Sequence, residues 1–111
     1  MPTVELEDLY LMSNLPPVLT GLPFVVWISP KGGARHDVRV KVSAGPRAKP
    51  GEFITVAVRP KIKVIGEHSM SAAQLALLSR WIELNQDALV AFWDGDIEYT
   101  PDVLARLRPI T

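Results

Sequence analysis

The sequence predicts an α+β domain: an antiparallel sheet of three to four strands, one long amphipathic helix packed on one face of it, and a short C-terminal helix. Apolar and polar residues alternate with the period of a half-buried strand between residues 37 and 65, and the apolar period becomes helical between residues 71 and 95. Because the strands precede the helices, the order of elements indicates an α+β fold. The length of 111 residues fits a single domain with one core.

Residues 1–23 are predicted to form an irregular N-terminal arm. Their apolar residues fit neither period, which favours an extended segment as far as Met12. Prolines at positions 16, 17 and 23 then disfavour regular structure. Such an arm is expected to pack on the core or on a second subunit.

The sheet is predicted to occupy residues 24–65. Residues 24–29 are apolar on both faces, as in an interior strand, and a turn with two glycines connects them to a strictly alternating strand at 37–42. A basic loop at 44–51, rich in proline and glycine, is predicted to be mobile. Alternation resumes at 53–58 and, after Pro60 has ended or bordered that strand, at 61–65.

The long helix is predicted over residues 71–95. Ser71 and Gln74 form a capping box at its start, and Gly95 suits the left-handed position after its end. About half of its circumference is apolar, which predicts a core face. The large side chains of this half are Leu75, Leu77, Leu78, Trp81, Ile82, Leu84, Leu89, Phe92 and Trp93. A short helix is predicted over 100–107, with Thr100 as its N-cap and proline at its first position.

Asn85 interrupts the apolar half of the long helix. Buried polar groups are normally hydrogen-bonded, so the first interpretation is a buried amide that bonds to a neighbouring carbonyl group or to a loop. The second interpretation is a polar group that opens into a pocket.

The helix segment WIELNQDALVAFW, with Trp81, Leu89 and Trp93, resembles a family of small bacterial proteins of unknown function. That family begins with a short strand, continues through a hairpin and ends in a helix with the same order of tryptophan, leucine and tryptophan. The closing LRPI is similar to the family's tail, and the resemblance covers residues 22–111. The middle departs from the family, because GGARHDVRV stands in place of a PPHFH segment and keeps only His36. Members are sometimes thought of as toxin–antitoxin-like components, which implies a context and no activity.

The net charge is zero, but the charges are segregated along the chain. Residues 31–63 hold nine basic and two acidic residues, whereas the remainder holds three basic and ten acidic residues. Strand alternation places the cations on the sheet face away from the helix. The candidate binding residues of this basic face are Arg35, Arg39, Lys41, Arg59, Lys61 and Lys63. The alternative is a face that is only solvated, because exposed strand positions favour charge.

The sequence holds few residue patterns that would indicate catalysis or metal binding. Cysteine is absent, and His36 and His68 lack a metal-ligand spacing, so no metal or cofactor is predicted. No catalytic residue is predicted either. An enzyme that uses His36 with Arg35 and Asp37 is the weakest alternative.

The favoured hypothesis is a small cytoplasmic domain that binds a protein partner or itself without catalysis. The alternative is a nucleic-acid-directed protein that uses the basic face, although this segment lacks the interleaved aromatic residues on which bases stack. The N-terminal residues MPTVELEDLY hold no basic region typical of a secretory signal. The longest apolar run, residues 22–28, is too short to span a membrane, so no membrane partner is expected.

Overall fold

The computed structural model describes residues 12–45, 53–66 and 70–110. The α+β class is confirmed: five strands form one antiparallel sheet in chain order, with a long helix and a short C-terminal helix. The elements are β1 (Ser13–Leu15), α1 (Pro17–Thr20), β2 (Val26–Ile28), β3 (Arg39–Ser43), β4 (Phe53–Ala57), β5 (Lys63–Ile65), α2 (Ala72–Asp94) and α3 (Thr100–Arg106). Residues 1–11 of the predicted arm, residues 46–51 of the predicted mobile loop, and His68 lie outside the described residues.

The predicted strand number of three to four is wrong, because β1 adds a strand within the segment predicted to be irregular. β1 pairs antiparallel with β2, with Leu15 opposite Val26. The prolines that disfavoured regular structure follow this strand and do not interrupt it. Pro16 is the N-cap of α1, and Pro17 occupies a first-turn position where the missing N–H costs no helical hydrogen bond.

One face of the sheet forms the core with α2. The strand register places Leu15, Val26, Val42 and Ile54 in one row, and Val40, Val56 and Val64 in the next. These side chains belong to one apolar cluster with the buried residues of α2, including Leu78, Trp81, Ile82, Leu89, Phe92 and Trp93. Each fully buried side chain of this size contributes about 1.5–3 kcal/mol before the entropy cost of folding.

The limits of α2 follow the capping signals of the sequence. The Ser71 hydroxyl accepts from the Gln74 backbone N–H at 3.1 Å, and the Gln74 side chain accepts from the Ser71 N–H at 3.4 Å. Gly95 ends the helix at φ 88°, a conformation that glycine adopts without steric cost. Trp81 and Trp93 are buried, as predicted. Leu84 was wrongly assigned to the core face: it is 49% exposed, because it lies on the flank of α2 beside the exposed Arg80 and Asp87.

Asn85 is buried and bonded, which confirms the first interpretation of this residue. Its side-chain Nδ2 donates to the carbonyl oxygens of Trp81 and Arg108, both at 2.9 Å. The Arg108 backbone N–H donates to the Asn85 Oδ1 at 2.7 Å. Asn85 therefore holds the C-terminal tail against α2, and the Ile110 N–H extends this attachment by donating to the Thr20 carbonyl at 2.9 Å.

The short helix begins one residue differently from its prediction. Its N-cap is Tyr99, and Thr100 is already helical. The Thr100 hydroxyl instead bonds with the Ser13 hydroxyl at 3.0 Å, which ties α3 to β1.

Candidate functional site on the second face of the sheet

Three of the six predicted binding residues share the sheet face opposite the core, called here the second face. Arg39 and Lys63 are both register partners of Ala57, one on each side of it. Since neighbouring strands lie about 4.8 Å apart, these two backbones are separated by about 10 Å. Lys41 lies between Trp27 and Thr55 in the adjacent row. The second face thus consists of Asn14, Trp27, Arg39, Lys41, Ser43, Phe53, Thr55, Ala57, Lys63 and Ile65.

The other three predicted residues, Arg35, Arg59 and Lys61, lie in connecting segments outside the strands. Alternation at 61–65 had placed Lys61 in a strand, but β5 begins only at Lys63. Arg59 follows the end of β4 and turns to Asp37, with Nε at 2.8 Å from Oδ2 and Nη2 at 3.0 Å from Oδ1. Its Nη2 also lies 4.0 Å from the Asp94 carboxylate at the end of α2. Arg59 therefore joins the β-hairpin end to the helix end.

The ion pair affects the acid–base equilibrium of Asp37. Hydrogen bonds from the Arg59 guanidinium and from the Val38 N–H lower the pKa of the Asp37 carboxyl. The same pairing raises the pKa of Arg59. Both groups are charged at neutral pH and satisfy each other.

This pairing bears on the enzyme alternative built on His36, Arg35 and Asp37. The His36 Nδ1 contacts the Asp37 backbone carbonyl at 2.8 Å, while the Asp37 carboxylate is bonded to Arg59. The His36 ring lies beside Trp93 with centroids 5.4 Å apart. Within the described ranges, His36 has no carboxylate partner to orient it as a general base.

Two aromatic residues of the second face were missed in the sequence. The Trp27 and Phe53 rings meet edge to face, with centroids 4.8 Å apart and planes at 82°. These rings lie beside the cations, but they pack on each other edge to face and Trp27 is only 8% exposed, so the expectation that bases have no aromatic residues to stack on stays a prediction. Trp27 was hidden in an apolar run that indicated burial on both sides. The position of Phe53 could have been predicted from the alternation of β4. Ile54 and Val56 face the core, so Phe53, which is one residue before Ile54, faces the other side.

The cations and the rings make a mixed surface. Lys63 is exposed, Arg39 and Lys41 are half-buried, and Trp27 is 8% exposed. Among the residues that the structure describes, no carboxylate lies within 4.0 Å of these three cations. Long basic side chains cover apolar surface with their methylene stems and leave the charge free for an anion. The second face can therefore hold a ligand that is both acidic and apolar.

The helical layer on the other side of the sheet has the opposite charge. Its exposed acidic residues are Glu83, Asp87, Asp94, Asp96, Glu98 and Asp102. The exposed cations of the same layer are Arg80, Arg106 and Arg108. The segregation seen along the chain is thus kept in three dimensions. No group of three potential metal ligands occurs within residues 12–45, 53–66 and 70–110.

Comparison with known proteins returned no match: no family model, no curated protein and no solved structure is similar to this chain. The resemblance to small bacterial proteins therefore stays a prediction. None of the described helices is long and apolar enough to cross a bilayer.

Proposed function

We propose that this protein is a non-catalytic binding module whose second face holds an acidic, partly apolar segment of a partner protein. The observation that supports it most is that Arg39, Lys41 and Lys63 share one sheet face with the Trp27–Phe53 ring pair, with Lys41 directly opposite Trp27. Protein interfaces are enriched in aromatic residues and arginine, which supply most of the anchoring contacts.

A protein partner fits this face better than a nucleic acid. Base stacking needs an open ring face, and Trp27 is only 8% exposed. Phe53 is half-buried and receives the Trp27 ring at an edge-to-face angle. Three cations on one face also provide a smaller phosphate footprint than the six of the sequence prediction.

Self-association through this face is disfavoured by charge repulsion. A symmetric dimer places the same patch of both copies together, so Arg39, Lys41 and Lys63 would oppose their own counterparts. A second copy would instead have to present its acidic helical layer, and such head-to-tail contacts either close into rings or extend into open chains. These arguments favour a different, acidic protein.

Nucleic acid is the second candidate, because the Phe53 ring is partly exposed on a face that carries basic side chains. Three phosphate contacts to a single strand give a slope of about −2 in log affinity against log salt. A fourfold rise in salt then weakens binding by about twentyfold.

The test compares two fluorescently labelled probes by anisotropy at two salt concentrations: an eight-residue peptide of alternating glutamate and leucine, and a ten-nucleotide uridine RNA. Arg39→Glu with Lys63→Glu reverses two cations of the second face. Arg35→Glu with Lys61→Glu is the matched control, because it reverses one arginine and one lysine outside the strands.

We expect the peptide to bind, the face variant to lose that binding, and the control to keep it. RNA binding with the same variant dependence would support the second candidate. Equal losses in both variants would show that the net charge, and not this face, is responsible.

A further inference from the structure

A groove on the helical side of the molecule is a second feature with the shape of a binding site. It lies between α1, α3 and the C-terminal tail and has a volume of about 330 Å³. Val18 and Leu19 come from α1, Leu104 and Leu107 from α3 and the residue after it, and Trp81 from the middle of α2. The groove is separate from the second face, because α2 lies on the core face of the sheet.

The sides of the groove leave large apolar side chains in contact with solvent. Val18 is 86% exposed, Leu19 is 49% exposed and Leu104 is 37% exposed. Five large apolar residues are exposed in the described part of the chain, and three of them line this one groove. Clusters of exposed apolar residues of this kind mark binding sites.

The Trp81 indole supplies an independent observation. The residue is fully buried, and its Nε1–H has no acceptor among the described residues. Neighbouring polar groups are satisfied: Asn85 bonds to Arg108, and the Thr20 hydroxyl accepts from the Leu22 N–H at 3.0 Å. A buried donor left without a partner is rare in folded proteins and calls for an explanation.

The walls of the groove are held in place before any ligand arrives. The Ser13–Thr100 bond joins α3 to β1, the Ile110–Thr20 bond joins the tail to α1, and the Asn85 bonds join the tail to α2. Gly21 permits the close contact with the tail, since a Cβ there would collide with the Ile110 carbonyl. Ligand sites are commonly preformed in this way.

We propose that this groove binds a small apolar molecule that carries one hydrogen-bond acceptor, with Trp81 Nε1 as the donor. The volume lies at the lower end of the range for small-molecule sites, which suits a compact ligand of one or two rings. Nε1 is sealed from solvent, so the acceptor reaches it only when a covering side chain moves. Ligand binding is thus accompanied by a small local rearrangement.

The experiment uses the full ¹⁵N-labelled chain and follows the indole N–H signals of its three tryptophans during titration. The probes are 1-indanone and indane, which differ by one carbonyl oxygen. Trp81→Phe identifies the Trp81 signal by its loss. We expect 1-indanone to move that signal downfield in a saturable way, and indane to bind more weakly without the downfield shift.

Two further variants locate the site. Leu19→Asp places a carboxylate on the groove wall at a half-exposed position that tolerates it, and should weaken 1-indanone binding by about tenfold or more. Leu84→Asp is the matched control, since Leu84 is as exposed as Leu19 but lies outside the groove, and it should leave affinity unchanged. The proposal is overturned if the Trp81 signal does not shift, if another tryptophan responds instead, or if both variants weaken binding equally.

Discussion

The two faces of the sheet are built from the same strands but differ in what fixes their residues. On the core face, Val26, Val42 and Val56 have no solvent exposure. These side chains are all apolar, and close packing is enough to explain them. On the second face, Lys41 lies between Trp27 and Thr55, so charged, aromatic and hydroxyl side chains share one row. Stability explains the first face. The mixture on the second face does not follow from packing alone, and it is this mixture that the proposed binding function would use.

The largest expected effect belongs to the core face. Trp81→Ala removes a fully buried ring from beneath α2 and should lower the free energy of unfolding by about 3–5 kcal/mol. Denaturant unfolding of the variant measures it. Leu84→Ala on the same helix is the control and should stay within about 1 kcal/mol, since this side chain is half exposed. A loss below about 1 kcal/mol for Trp81→Ala would contradict the packing described here.

A smaller effect is expected where the core face meets the tail. Asn85→Ala leaves the Arg108 N–H and carbonyl without their partner and should cost about 1–3 kcal/mol. The hydrogen-exchange rate of the Arg108 amide should rise with it. If unfolding becomes easier while that amide stays protected, the tail is held by other contacts.

The core face was predictable because its signals are local and repeated. β3, β4 and β5 alternate with period two, and the capping box of Ser71 and Gln74 fixes the start of α2 within the sequence itself. β1 was missed since three residues are too few to show a period, and its pairing with β2 depends on a distant part of the chain.

The candidate site was only partly predictable, because it depends on register. The positions of Arg39, Lys41 and Lys63 on this face follow from strand alternation. Arg59 does not lie there, because the chain leaves the sheet between β4 and β5 and the Arg59 side chain pairs with Asp37. The meeting of Trp27 with Phe53 joins β2 and β4 across β3, which no local pattern contains. The groove around Trp81 likewise combines segments from both ends of the chain.

The Asp37–Arg59 pair gives a test that depends on pH. The folded pKa of Asp37 lies below its ordinary value of 3.8, so the unfolded chain binds its proton first as the pH falls. The contribution to stability is therefore complete above the unfolded pKa and is lost as the pH falls through the folded pKa. Asp37→Asn should lower stability at neutral pH, and the difference from the native protein should shrink in acid.

Unfolding curves of both proteins at several pH values check this prediction. The effect is expected to be small, because both side chains are substantially exposed and the pair is screened by solvent. Asp87→Asn, an exposed change on α2, is the control. A difference that is independent of pH would mean that Asp37 does not stabilise the fold through its charge.

The substitution with the smallest expected effect on stability distinguishes most directly between a structural role and a binding role of the second face. Lys41→Met keeps the methylene stem beside Trp27 and removes the charge, so stability should change by no more than about 0.5 kcal/mol. Affinity for the acidic peptide probe should nevertheless fall and become less sensitive to salt, because one ionic contact is lost. Val42→Ala, next in sequence but on the core face, is the control. It should lower stability and leave peptide affinity unchanged. If Lys41→Met instead destabilises the protein and leaves probe affinity unchanged, the cation serves the fold, and the second face needs no ligand to explain it.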